Sequence, residues 1–109
     1  MEQVLLVLSN LPDRDAALKL ARTLVDAGFA ACVNVLGECT SVYRWQGALE
    51  TATEVPVLIK TRRSLYPQVE QTIVRLHPYE LPEVIAVPVT EGLPAYLDWV
   101  RGQTTRTIE

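Results

Sequence analysis

Basic charge is in short supply in this chain. Ten lysines and arginines stand against 13 aspartates and glutamates, for a net charge of −3. A nucleic-acid partner requires a basic stripe that displaces counterions from phosphates. Here the basic residues are scattered, and Arg62-Arg63 is their only adjacent pair. Long apolar runs are also missing, so no segment reads as a bilayer span. Met1–Leu8 has neither the basic leader nor the cleavage site of a signal peptide. It reads as a strand, and the cytosol is the expected compartment. The two cysteines, Cys32 and Cys39, are then expected to be reduced. Their spacing excludes a C-x-x-C redox motif and a zinc knuckle. No glycine pair flanks a helix start after a strand, so a phosphate-cradling loop is absent. With a single histidine, no set of nucleophile, base and orienting residue is visible.

What remains is enough for one domain spanning residues 1–109, with 49% hydrophobic residues for one modest core. Val4–Leu8 is a continuous apolar run, suited to the centre of a sheet. Asn10 or Asp13 can cap the helix that follows. Its apolar residues Ala17, Leu20, Ala21, Leu24 and Val25 recur at helical spacing, and Gly28 suits its end. A second extended segment covers Ala30–Leu36, is interrupted at Gly37-Glu38, and resumes from Thr40 to Trp45. There Ser41, Tyr43 and Trp45 alternate with Thr40, Val42 and Arg44. Gln46-Gly47 is a turn. Ala48–Thr61 returns as a third extended segment, and Pro56 must lie at an edge, at a bulge or where no ladder donor is needed. Ser64 is positioned to cap a second helix with the stripe Leu65, Val69, Ile73, Leu76. Val84–Val89 is a fourth strand. Pro94 opens a short helix that Gly102 ends, and Thr104–Glu109 is a polar tail.

The order βαββαβ, with crossovers of one hand, predicts an α+β ferredoxin-like sandwich. It carries an extended hairpin between its second and third strands, and a C-terminal helix. That hairpin is longer than one such sheet needs, so a second subunit is expected to cover its outer half. Tyr43 and Trp45 are the aromatics expected at such a contact.

One segment concentrates chemistry: His77-Pro78-Tyr79-Glu80-Leu81-Pro82-Glu83. An imidazole, a phenol and two carboxylates sit between prolines that restrict the backbone. The same residues also read simply as a helix end, a rigid turn and a strand start.

Five blocks, taken together, resemble the CutA divalent-cation tolerance family. They are Ala30-Ala31-Cys32-Val33-Asn34, Ser41-Val42-Tyr43-Arg44-Trp45-Gln46-Gly47, Leu58-Ile59-Lys60-Thr61, the His77–Glu83 segment, and Tyr96-Leu97-Asp98-Trp99. The resemblance implies a ferredoxin-like homotrimer of PII-like architecture, acting in tolerance to copper and other divalent ions. It also implies three copper ligands. Two of their places hold Ser9 and Leu76 here, and only His77 remains. A hydroxyl suits a soft metal poorly, and leucine is no ligand. Copper or another divalent cation is therefore expected to bind weakly, and no cofactor is obligatory.

The candidate metal ligands are His77, Cys39, Glu80 and Cys32. Cys32 in its apolar strand also reads as core packing, whereas Cys39 in a turn reads as exposed. Glu80 and Glu83 offer oxygen ligands or an ion pair across a subunit boundary. Lys60 ends an apolar strand, either as a rim lysine or as a charge held for a small anion or partner carboxylate. Tyr43, Trp45, Tyr79 and Trp99 suit an interface or a ligand pocket between subunits. The expected function is a homotrimeric binding protein, not an enzyme, whose partners are other copies, a divalent ion or a small ligand. Neither nucleic acid nor membrane is expected. The alternatives are a trimeric scaffold for a protein partner and a thiol-dependent enzyme.

Overall fold

Asp13 opens the first helix. Its backbone is extended and its Oδ1 accepts from Ala16 N at 2.8 Å, satisfying one of the free donors of the first turn. In the computed structural model, which describes residues 1–104, helix α1 runs from Arg14 to Asp26. Gly28 follows at φ +78°, a left-handed conformation that glycine takes without a Cβ clash. The helix buries Ala17, Leu20, Ala21 and Leu24.

Strands β1 (Val4–Leu11), β2 (Cys32–Val35), β3 (Cys39–Trp45), β4 (Ala48–Arg62) and β5 (Ile85–Pro88) form one antiparallel sheet. The order is β2-β4-β1-β5, and β3 pairs with the outer half of β4. Helices α1 and α2 (Tyr66–Leu76) cover the same face. Leu20 and Leu24 from one, and Val69 and Ile73 from the other, pack on Val7, Leu11, Val55, Val57 and Ile59. This is the ferredoxin-like sandwich expected from the order of elements. Helix α3 (Pro94–Gln103) stands apart from that core and buries Val100.

Pro56 lies inside the long strand, between β1 and the break that separates β2 from β3. Its carbonyl accepts from Leu36 N at 3.0 Å, so its nitrogen also faces the break, where no ladder partner waits. The missing N–H costs nothing there. The break also shifts the pairing. Val35 pairs with Val57 and Cys39 with Glu54, four residues of advance against three on β4. The extra residue reverses which side chains face which way. Val33 and Val35 pack on the helix-side core, whereas Ser41, Tyr43 and Trp45 share the opposite face with Glu54.

Several boundaries differ from the sequence reading: β1 continues to Leu11, and β2 and β5 are shorter than the segments expected. Ser64 does not cap α2. It sits in a 3₁₀ turn (Arg63–Leu65), and its backbone N–H donates to the Glu2 carboxylate. Glu2 lies 62 positions away, so local pattern could not reveal it. Gly102 does not end α3, which continues to Gln103. Thr104, expected in a polar tail, is buried, and its Oγ1 donates to Val100 O at 2.9 Å. The rest of that tail lies outside the described residues.

Glu2 ties three elements together. Its carboxylate pairs with Arg62 at 3.1 Å, and its carbonyl accepts from Arg101 Nε at 2.6 Å. The hydrogen bond from Ser64, and then Arg62, hold its carboxyl below the ordinary 4.5. A carboxylate whose pKa is depressed on folding stabilises the fold above its unfolded value. That stability is lost as pH falls through the lower folded value. Glu2→Gln should therefore lower the thermal midpoint by a few degrees at neutral pH. The gap to the parent protein should narrow steadily as pH drops below about 4.5, which melting curves across the acid range will show.

Candidate functional site

Helix α2 stops at His77 because Pro78 disfavours helical backbone before it, and His77 is extended at ψ 134°. His77 is 7% exposed. Its Nε2 lies 2.6 Å from Asn10 O, which can only accept, so Nε2 carries the proton. Its Nδ1 accepts from Tyr79 N–H at 3.2 Å. Both ring nitrogens are thus engaged in the neutral tautomer, assigned from these partners. The far end of the segment is also tied to Asn10, whose Nδ2 donates to Glu83 Oε1 at 2.8 Å. One residue of β1 therefore holds both ends of the His77–Glu83 loop.

The clipped loop faces the β3–β4 hairpin across a cleft of about 570 Å³. The hairpin turns at Gln46 and Gly47, both at positive φ (50° and 86°), a tight turn matched to strand twist. It presents Tyr43 and Trp45, and the loop presents Tyr79, Leu81 and Glu83. Glu54 of β4 forms part of the wall. The Tyr79 ring packs on His77 with centroids 4.5 Å apart. Burial raises the Tyr79 phenol above its ordinary 10, and the nearby Glu54 carboxylate raises it further. A hollow of comparable size beside Arg22 and Val25, on α1, holds neither an aromatic nor a buried charged group.

Of the residues singled out in the sequence, Tyr43, Trp45, Tyr79 and Glu83 meet in this cleft, and Glu80 lines an adjoining hollow. Lys60 stands elsewhere, on the sheet face opposite α1 and α2, bonded to Asn34 Oδ1 and 4.0 Å from Cys32 Sγ. Cys32 is half-buried beside it and does not point into the helix-side core. Cys39 is also half-buried, with its Sγ 3.8 Å from Ser41 Oγ. Trp99 is on α3, packed against Tyr96 at 5.7 Å between ring centroids. The candidate metal ligands His77, Cys39, Glu80 and Cys32 do not converge within one chain. Among the described residues no three His, Cys, Asp or Glu side chains are placed to hold an ion together. Sequence reasoning offered Asn10 only as a helix cap, a place Asp13 takes, and passed over Glu54. Glu54 announces itself only as the acidic residue just before the apolar run of β4, and Asn10 carries no chemical signal of its own.

Ser9 is buried on β1, and its hydroxyl has no hydrogen-bond partner. Leu76 ends α2 and packs at the edge of the core. Neither offers a soft-metal ligand beside His77.

A sheet with two helices on one face is an architecture that known proteins share. The family model described as CutA1 divalent ion tolerance protein matches residues 5–103. The chain belongs to that family. It is 40% identical over 104 residues to the divalent-cation tolerance protein CutA of Thermus thermophilus, covering 95% of this chain and 99% of that one. It is 43% identical over 97 residues to the protein CutA of Mus musculus, a match spanning 89% of this chain and 54% of the mouse protein. The crystal structure of CutA from Xylella fastidiosa superposes with a TM-score of 0.91 at 43% identity, over 94% of this chain and 98% of that one.

The Tyr79–Glu54 contact makes a direct prediction. Glu54→Gln should move the Tyr79 phenol down toward 10 without reaching it, because burial, the larger cause, remains. Tyrosinate absorbance, with Tyr79→Phe to identify the signal, will measure the change.

Proposed function

We propose that the chain acts as a homotrimeric binding protein in divalent-cation tolerance, taking a small ligand at the aromatic cleft and holding divalent metal only weakly. The observation that carries this reading is the sheet face opposite α1 and α2, which α3 covers only at its Val4–Arg62 end. Cross-strand register lines up Val87 with Leu6 and Lys60, and Ile85 with Leu8 and Leu58. Ile85 is 52% exposed and Val87 45%. An antiparallel sheet can turn one face to water when that face is polar. This one is largely apolar, and large exposed apolar surfaces mark contact sites. The outer hairpin exposes Val42 and Leu49 on its other side. A second copy supplies matching apolar surface, and the family resemblance supports three copies with a PII-like arrangement. The cleft opens on the same face as this surface, so assembly would place a neighbour beside the ligand site. The cytosol is the compartment this reading assigns.

Copper would have to displace one of the two hydrogen bonds that occupy the His77 ring. It would also need further ligands that one chain does not bring together. Selective metal sites use several convergent ligands of suitable softness.

Light scattering should report three times the 12.1 kDa chain at micromolar concentration. Leu8→Glu, which places a charge in the centre of the apolar face, should shift the protein to smaller species. A stable monomer of the parent chain would overturn the trimer. Calorimetric titration with Cu(II) should give a dissociation constant in the micromolar range or weaker; nanomolar affinity would refute the weak-metal reading.

A further inference from the structure

We propose that the ligand of the aromatic cleft is a small organic cation, an alkylammonium or guanidinium group carrying N–H donors. This rests on the reading of the cleft as a ligand site. Every formally charged side chain that lines the cleft and its adjoining hollow is acidic: Glu54, Glu83 and Glu80. No lysine, arginine or histidine side chain lines either one.

Glu54 is the strongest single indication. It is 7% exposed, lies beside the neutral Tyr79 in the cleft wall, and no cationic side chain of the described residues pairs with it. The ion pairs among the described residues are Arg62–Glu2 and Arg101–Asp98, and neither reaches the cleft. A buried carboxylate is costly unless a positive group accompanies it. Three aromatic rings, Tyr43, Trp45 and Tyr79, line the same cleft. Aromatic faces attract cations, most strongly where water is displaced. Carboxylates receive the N–H donors of the same cation through charge-assisted hydrogen bonds. Glu83 is already held in position by Asn10.

Inorganic ions fit less well. A bare divalent cation needs several convergent oxygen or nitrogen ligands, and no such group of three exists among the described residues. An anion would meet only like charge. The volume, about 570 Å³, suits a small molecule.

The test uses the assembled protein and three probes of one shape: n-butylammonium, n-butanol and n-butyrate. Isothermal titration gives the affinities, and Trp45 fluorescence in a Trp99→Phe background locates the site. Butylammonium should bind about tenfold more tightly than butanol, and butyrate most weakly, the scale of one charge-assisted contact. Glu54→Gln and Glu83→Gln should each weaken butylammonium by about tenfold, with folding confirmed by circular dichroism. Asp26→Asn removes the same charge on α1, far from the cleft, and should leave the affinity unchanged. Butyrate binding more tightly than butylammonium would overturn the cation assignment while leaving the cleft a ligand site. Cation binding indifferent to both Glu54→Gln and Glu83→Gln would also overturn it. If no probe binds, the cation assignment and the ligand-site reading fall together.

Discussion

Strand β4 is the constraint on which the molecule depends. From Ala48 to Arg62 it runs unbroken beside β1, β2 and β3. Its inner half supplies Val55, Val57 and Ile59 to the core, and its outer half pairs with β3 to carry the cleft wall. A proline in such a strand is tolerable only where its nitrogen meets no acceptor. The break at Gly37-Glu38 meets that condition, and the residue it adds turns Tyr43 and Trp45 away from the helices. One local irregularity therefore accommodates Pro56 and re-aims the aromatics. Packing and the candidate site are consequences of the same register.

The second organising contact is Asn10. Its carbonyl accepts the hydrogen bond from His77 Nε2–H and its amide donates to Glu83, so the loop between them is fastened at both ends to the sheet. Tyr79, Leu81 and Glu83 are thereby presented to the cleft from a fixed frame, which lowers the entropic cost of binding. The geometry also changes the meaning of the histidine. As the single imidazole in the chain it invites a metal reading, yet both of its nitrogens serve the loop. Family membership concerns divalent-cation tolerance, and in this chain the histidine contributes first to architecture.

The sheet divides the surface into two kinds of face. Helices α1 and α2 cover one side, and α3 covers only the Val4–Arg62 end of the other. The other side combines apolar rows from β1, β4 and β5 with the mouth of the cleft and the Lys60–Asn34–Cys32 group. Assembly and ligand binding would then share a surface, so either could influence the other. That coupling is open to measurement because the apolar rows and the cleft are carried by different side chains.

The sequence by itself determined the elements and their order. Helical spacing marked α1 and α2, apolar runs marked β1 and β4, Pro78 marked the end of α2, and βαββαβ order led to the sandwich. These are local properties, decided within a turn or two of helix or a few strand residues. It also picked out Tyr43, Trp45, Tyr79 and Glu83, because aromatics and carboxylates in turns carry their own signal. Pairing between distant residues was decided by tertiary structure alone. Alternation showed that Tyr43 and Trp45 share a side, but the side itself follows from the one-residue shift against β4. Glu2 accepting from Ser64 N–H in the turn before α2, Asn10 clipping the loop and Glu54 lying beside Tyr79 in the cleft all join segments far apart in the chain. Hydrogen bonds of that kind leave no periodicity in the sequence, because their geometry exists only once the sheet has set its register.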